Sequence, residues 1–124
     1  MRILLVDDDK DLCQLTKKVL VLQGYTVDAF CDAKLAIDCA RENKPDLILM
    51  DIMLKGSSGP EIISSLKTDP EFKDVPVVFL TALATGEERS PEGGGLTVGG
   101  VRYRTIGKPY EIESLLAAVE SSVK

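Results

Sequence analysis

The chain has 124 residues, 44% of them apolar, with 20 acidic against 15 basic side chains and no histidine. That length fits one domain, expected over residues 1–124, and suffices for a core without disulfide or metal staples. A net charge of −5 argues against a nucleic-acid surface, no apolar run approaches the ~20 residues of a membrane span, and the N-terminus turns acidic too early for a signal peptide, so a cytoplasmic protein is expected.

Ile3-Leu4-Leu5-Val6 is an apolar run without alternation, as in a strand covered on both faces, and Asp7, Asp8 and Asp9 follow it. A helical pattern of Leu12, Leu15, Val19 and Leu22 comes next, with Gly24 in the position after the C-cap. Residues 25–30 alternate and are rich in β-formers, predicting a second strand. Asp32 predicts the cap of a helix through Glu42, with Leu35, Ala36, Cys39 and Ala40 inward. Residues 47–50 are a third, wholly apolar strand with Asp51 at its end.

Gly56-Ser57-Ser58-Gly59 reads as a turn, and Pro60 suits the first turn of a helix carrying Ile62, Ile63 and Leu66. Val77-Val78-Phe79-Leu80 predicts a fourth buried strand, followed by Thr81. An irregular stretch, 84–100, ends with five glycines in the eight residues 93–100 and reads as loop. Residues 101–106 predict a fifth strand before Gly107-Lys108-Pro109, and a last helix is expected from about 111 to 123 with Ile112, Leu115, Leu116 and Val119 inward. Strands alternating with helices imply a parallel sheet with helices on both faces.

In such a sheet, ligands bind outside the carboxyl ends of the strands. Those ends carry Asp7 and Asp8, then Asp51, Thr81 and Lys108. Converging carboxylates repel one another unless a hard cation joins them, and an all-oxygen set suits Mg2+. A hydroxyl and an ammonium opposite the cation suit phosphoryl oxygens. Taken singly, each is ordinary: an Asp after a strand is usually a cap or turn residue, and a Lys before Pro a solvated charge. The weight lies in their arrival at successive strand ends. The absence of histidine removes Ser-His-Asp triads and histidine zinc sites. Cys13, Cys31 and Cys39 have no metal-like spacing and read as reduced, mostly structural thiols.

The pieces Leu5-Val6-Asp7-Asp8-Asp9, Leu49-Met50-Asp51-Ile52-Met53-Leu54 with Gly59 and Glu61, Val77-Val78-Phe79-Leu80-Thr81-Ala82 and Lys108-Pro109-Tyr110 resemble the receiver domain of bacterial response regulators. The likeness covers essentially the whole chain. It implies a doubly wound, flavodoxin-like α/β fold with five parallel strands in the order 2-1-3-4-5. It implies Asp51 as phosphoacceptor, Mg2+ bound by Asp8 and Asp51 directly and by Asp7 mostly through water, and the Met53 backbone carbonyl as a further ligand. Thr81 and Lys108 are then the groups that meet the phosphoryl oxygens. The implied partners are a histidine kinase or histidine phosphotransfer protein and an unidentified downstream protein. The chain would be a monomer or weak dimer, and no enzyme beyond its own phosphorylation and dephosphorylation.

The chain also departs from the family. Leu54-Lys55 stands where the family usually has a proline, and the 27 residues from Thr81 to Lys108 are more than the family spends there. Glycine and proline in that stretch disfavour a helix by roughly 1 and 3 kcal/mol each relative to Ala, so the fourth helix is expected to be missing or replaced by a Gly-rich loop. Thr105 occupies the place of the family's switch aromatic; Tyr103, on the same face by alternation, either substitutes for it or simply packs. Met53 and Leu83 flank the site with apolar side chains that cannot orient water, which predicts slow self-dephosphorylation. The last helix, ending near Lys124, leaves no output domain: the chain reads as a stand-alone regulator, a relay intermediate or a receiver cut from a longer protein. Two other classes compete. One is a receiver-like interaction module that is never phosphorylated. The other is a Mg2+ phosphotransferase or phosphatase, disfavoured because Asp51-Ile52-Met53 lacks a second carboxylate.

Overall fold

The computed structural model describes residues 1–54, 57–81, 95–98, 101–107 and 112–122. In chain order its elements are β1 (Arg2–Val6), α1 (Lys10–Leu22), β2 (Thr26–Phe30), α2 (Ala33–Glu42), β3 (Leu47–Asp51), β4 (Met53–Leu54), β5 (Ser57–Ser58), α3 (Gly59–Leu66), β6 (Val77–Thr81), β7 (Gly95–Val98), β8 (Val101–Gly107) and α4 (Ile112–Ser122). The main sheet runs β2-β1-β3-β6-β8-β7. Its first five strands are parallel and stand in the order expected from the sequence.

Strand alternation divides the core in two. Ile3, Leu5, Leu47, Leu49, Val78 and Leu80 face one side, packing with Cys13 and Leu20 of α1 and Leu115, Ala118 and Val119 of α4. Leu4, Val6, Ile48, Met50, Val77 and Phe79 face the other, with Ala36 and Ala40 of α2 and Ile63 and Leu66 of α3. Both faces of β1 and β3 are therefore covered, which is why these strands read as unbroken apolar runs.

Local chemistry sets the helix ends. Asp32 caps α2 by accepting from the Lys34 and Leu35 amides at 2.8 and 3.2 Å. α1 ends before Gly24, whose φ of +96° is the left-handed conformation that stops a helix. Pro60 lies in the first turn of α3. Beyond α3, Lys67 Nζ donates to the carbonyls of Lys73, at 3.1 Å, and Val75, holding the segment that leads into β6.

Three expectations need correction. In α1 the buried residues are Cys13, Thr16 and Leu20, whereas Leu15 and Leu22 are exposed. In α2, Leu35 is likewise exposed while Ala36 and Ala40 are buried. The Gly-rich stretch is not all loop: Gly95–Val98 forms β7, antiparallel to β8 with Val98 opposite Val101 and Gly95 opposite Arg104. Antiparallel strands can be joined by two residues, and only Gly99 and Gly100 separate these two. The expected loss of the fourth helix falls on residues 82–94, which lie outside the described residues.

Candidate functional site

β1 is flanked by β2 and β3, so its carboxyl end opens in the middle of one sheet edge. Asp7 follows it directly. Its N–H donates to the Phe30 carbonyl at 3.1 Å, tying it to the end of β2. Its Oδ1 accepts the Asp9 N–H at 3.0 Å. Asp9 in turn accepts from the Leu12 N–H at 3.1 Å and caps α1. The three successive aspartates thus divide the work. Asp7 is fully buried and held by the loop, Asp8 is exposed, and Asp9 starts the helix.

Asp51 ends β3 opposite Leu80 and is only 4% exposed. The chain behind it is fixed by two bonds. The Ile52 N–H donates to the Leu80 carbonyl at 2.8 Å, and the Gly59 N–H donates to the Ile52 carbonyl at 2.8 Å. Met53 and Leu54 then pair antiparallel with Ser58 and Ser57, which fixes the Met53 backbone two residues beyond Asp51. Gly59 is required here by space. A Cβ at that position would lie 2.1 Å from the Asp51 carbonyl oxygen and 3.0 Å from its carbon. The sequence marked Gly59 through the turn reading of 56–59 and through the family pattern, but the structure places it at the start of α3 with a φ that is not positive, so the close approach to Asp51 is its reason.

One carboxylate oxygen from each of Asp7, Asp8 and Asp51 lies within 4.8 Å of the other two. Like charges this close favour a cation between them. The donors are all hard oxygens, and Mg2+ at 2.0–2.1 Å per ligand with retained waters spans such a set. Of the other predicted site residues, Thr81 is the last residue of β6 and pairs with Gly107, the last residue of β8. Lys108 is the next residue in the chain; it lies outside the described residues, as do Ala82 and Leu83. Tyr103 packs edge-on against Phe79, ring centroids 5.4 Å apart at 90°.

The sequence singled out no thiol near this site. Cys13, buried in the first part of α1, directs its Sγ to the Phe30 carbonyl at 3.8 Å, the same oxygen that accepts from Asp7. Burial above all, then the neighbouring Cys31 sulfur and the Asp7 carboxylate, push the Cys13 thiol up to about 12.

The family model for the response regulator receiver domain matches residues 3–120. The chain is 33% identical over 123 residues to the nisin biosynthesis regulatory protein NisR of Lactococcus lactis subsp. lactis, covering 99% of this chain and 50% of NisR. It is 32% identical over 124 residues to the response regulator MprA of Mycobacterium sp. (strain KMS), covering 100% and 51%. Among solved structures, the non-phosphorylated HemR receiver domain from Leptospira biflexa is 30% identical with a TM-score of 0.77, over 99% of this chain and 94% of that one. The chain therefore spans about half the length of the curated relatives it matches. Among the described residues, no helix is long and apolar enough to cross a membrane.

Proposed function

Since this chain belongs to the response regulator receiver family, we propose that it is a phosphorylation-controlled signalling module with Asp51 as its phosphoacceptor. The observation that carries this reading is the convergence of Asp7, Asp8 and Asp51 at adjacent strand ends, with Asp51 anchored by the bonds behind it. The donor set fits Mg2+, which Asp8, Asp51, Asp7 and the Met53 carbonyl would hold. When bound, that ion supplies positive charge against the carboxylates and the phosphoryl oxygens.

The Asp51 carboxylate attacks the phosphorus of a phosphohistidine on a partner kinase or phosphotransfer protein. A P–O bond forms as the P–N bond breaks, the imidazole leaves, and an acyl phosphate remains on Asp51. Asp51 is positioned for this by its backbone, since Ile52 and Gly59 lock the chain on its far side. The Thr81 hydroxyl and the Lys108 ammonium then bond the phosphoryl oxygens and draw their strands toward the site. The chain works with protein partners in the cytoplasm and catalyses only its own phosphorylation and dephosphorylation.

The test is exposure to acetyl phosphate with Mg2+, read by intact mass. The wild type gains one phosphoryl group; Asp51→Asn and the metal-chelated wild type do not. A wild type that binds Mg2+ yet gains no mass would replace this reading with a receiver-like interaction module.

A further inference from the structure

The two cysteines at the rim of the acidic cluster form a built pair. The Phe30 carbonyl accepts the Cys13 thiol at 3.8 Å, and Cys31 is the very next residue after Phe30. By strand alternation Cys31 follows Val27 and Ala29 on the face of the sheet that packs against Cys13, and its sulfur is near enough to push the Cys13 thiol up. Cys13 is 1% exposed and fixed in the core beside Leu20 and Val27, whereas Cys31 is exposed. Cys31 also stands between β2 and the Asp32 cap of α2, in the one-residue link that no strand or helix bond fixes. We propose that Cys31 is a peroxide-oxidisable thiol and Cys13 its resolving partner, so that the chain closes a reversible disulfide beside the acidic cluster.

The chemistry balances as a two-electron oxidation of the dithiol by one hydrogen peroxide. The Cys31 thiolate attacks a peroxide oxygen; an S–O bond forms, the O–O bond breaks, and water leaves, giving a sulfenic acid. The Cys13 sulfur then attacks the Cys31 sulfur and gives up its proton. The S–O bond breaks, a second water leaves, and the S–S bond remains. A disulfide needs its sulfurs about 2.05 Å apart and its Cα atoms roughly 4.4–6.8 Å apart. The closing movement falls to the exposed Cys31, since Cys13 is packed in the core. A small dithiol reverses the bond by exchange, as suits a transient regulatory disulfide in a reducing compartment. Cys39 is excluded as the partner by its place on α2, among residues of the opposite face of the sheet.

The bond would join α1 to the end of β2 at the same Phe30 carbonyl that holds Asp7, so it would act on the loop carrying Asp7 and Asp8.

The decisive experiment treats the folded chain with a few equivalents of hydrogen peroxide, blocks remaining thiols by alkylation, and reads intact mass without reductant. The wild type then takes one alkyl group and Cys39→Ser none, each monomer otherwise lighter by two hydrogen atoms, dithiothreitol restores the thiols, and digestion yields one peptide pair joining Cys13 to Cys31. Cys31→Ser, a change at an exposed position that leaves folding intact, abolishes the loss. Oxygen adducts on Cys31 without the two-hydrogen loss would overturn the proposal. So would a bond to Cys39 or a bond between two chains.

Discussion

On the β1 and β3 side of the sheet, two largely buried strands lead into carboxylates, and the described turns that follow are closed by bonds between residues close in sequence or on adjacent strands. Asp7 receives Asp9, Asp9 caps α1, and Gly59 returns to Ile52. On the β8 side, the parallel sheet does not stop at its fifth strand but folds back on itself through β7. The acidic half is thus fixed by strand ends and caps, whereas the far half is fixed by cross-strand backbone pairing of β7 with β8, which a glycine-rich composition does not display. The difference explains why the first could be read residue by residue and the second could not.

The sharpest way to break this contrast is at Gly59. Gly59→Ala drives a methyl into the Asp51 carbonyl and should cost about 1–3 kcal/mol, as overpacking does, read as a lower urea midpoint. Unchanged stability would mean that the turn behind Asp51 is loosely held. A smaller effect is expected from Asp8→Asn, exposed and free of any capping duty. It should weaken Mg2+ binding at least about tenfold, the low end of what even outer ligand partners are worth, with thermal stability retained in metal-free buffer. On the other half, Tyr103→Leu removes the edge-on contact with Phe79. It should cost about 1 kcal/mol while Asp51 still takes up the phosphoryl group; loss of uptake would give Tyr103 a role in the switch.

The smallest effect is alkaline. With the Cys13 thiol raised from 9.0 to about 12, the folded chain keeps a proton between those pH values that the unfolded chain releases. Its contribution to stability is therefore complete below about pH 9 and is lost as pH rises toward 12. The stability gap between wild type and Cys13→Ala should narrow from pH 8 to pH 10 in parallel urea titrations.

The five parallel strands and the carboxylates at their ends were legible because buried strands carry unbroken apolar runs and end in short polar loops, while the strand order came from the family likeness. Helix faces were less so. In α1 the residues 13, 16 and 20 are buried, one position round from the expected stripe of 12, 15, 19 and 22. A shift of one residue turns a helix by about 100°, and here the outward stripe holds leucines while the inward one holds Cys13 and Thr16. Counting apolar residues chose the wrong face because small side chains fit where the helix lies close on the sheet. β7 was missed for a related reason. Glycine argues correctly against a helix, but an edge strand draws its stability from cross-strand backbone bonds, which composition does not display.

That added strand bears on how the molecule assembles. β7 and β8 pair residues only three to nine positions apart, whereas β8 meets β6 across 26 positions, from Val78 to Arg104. Hairpins close in about 1–10 μs, and contacts across long loops carry a larger entropic penalty. The last strand of the sheet can therefore reach β6 already partnered, as a two-stranded unit formed in advance rather than as a single extended chain. A topology dominated by slow parallel pairing thereby acquires, at its far edge, a local nucleus of its own.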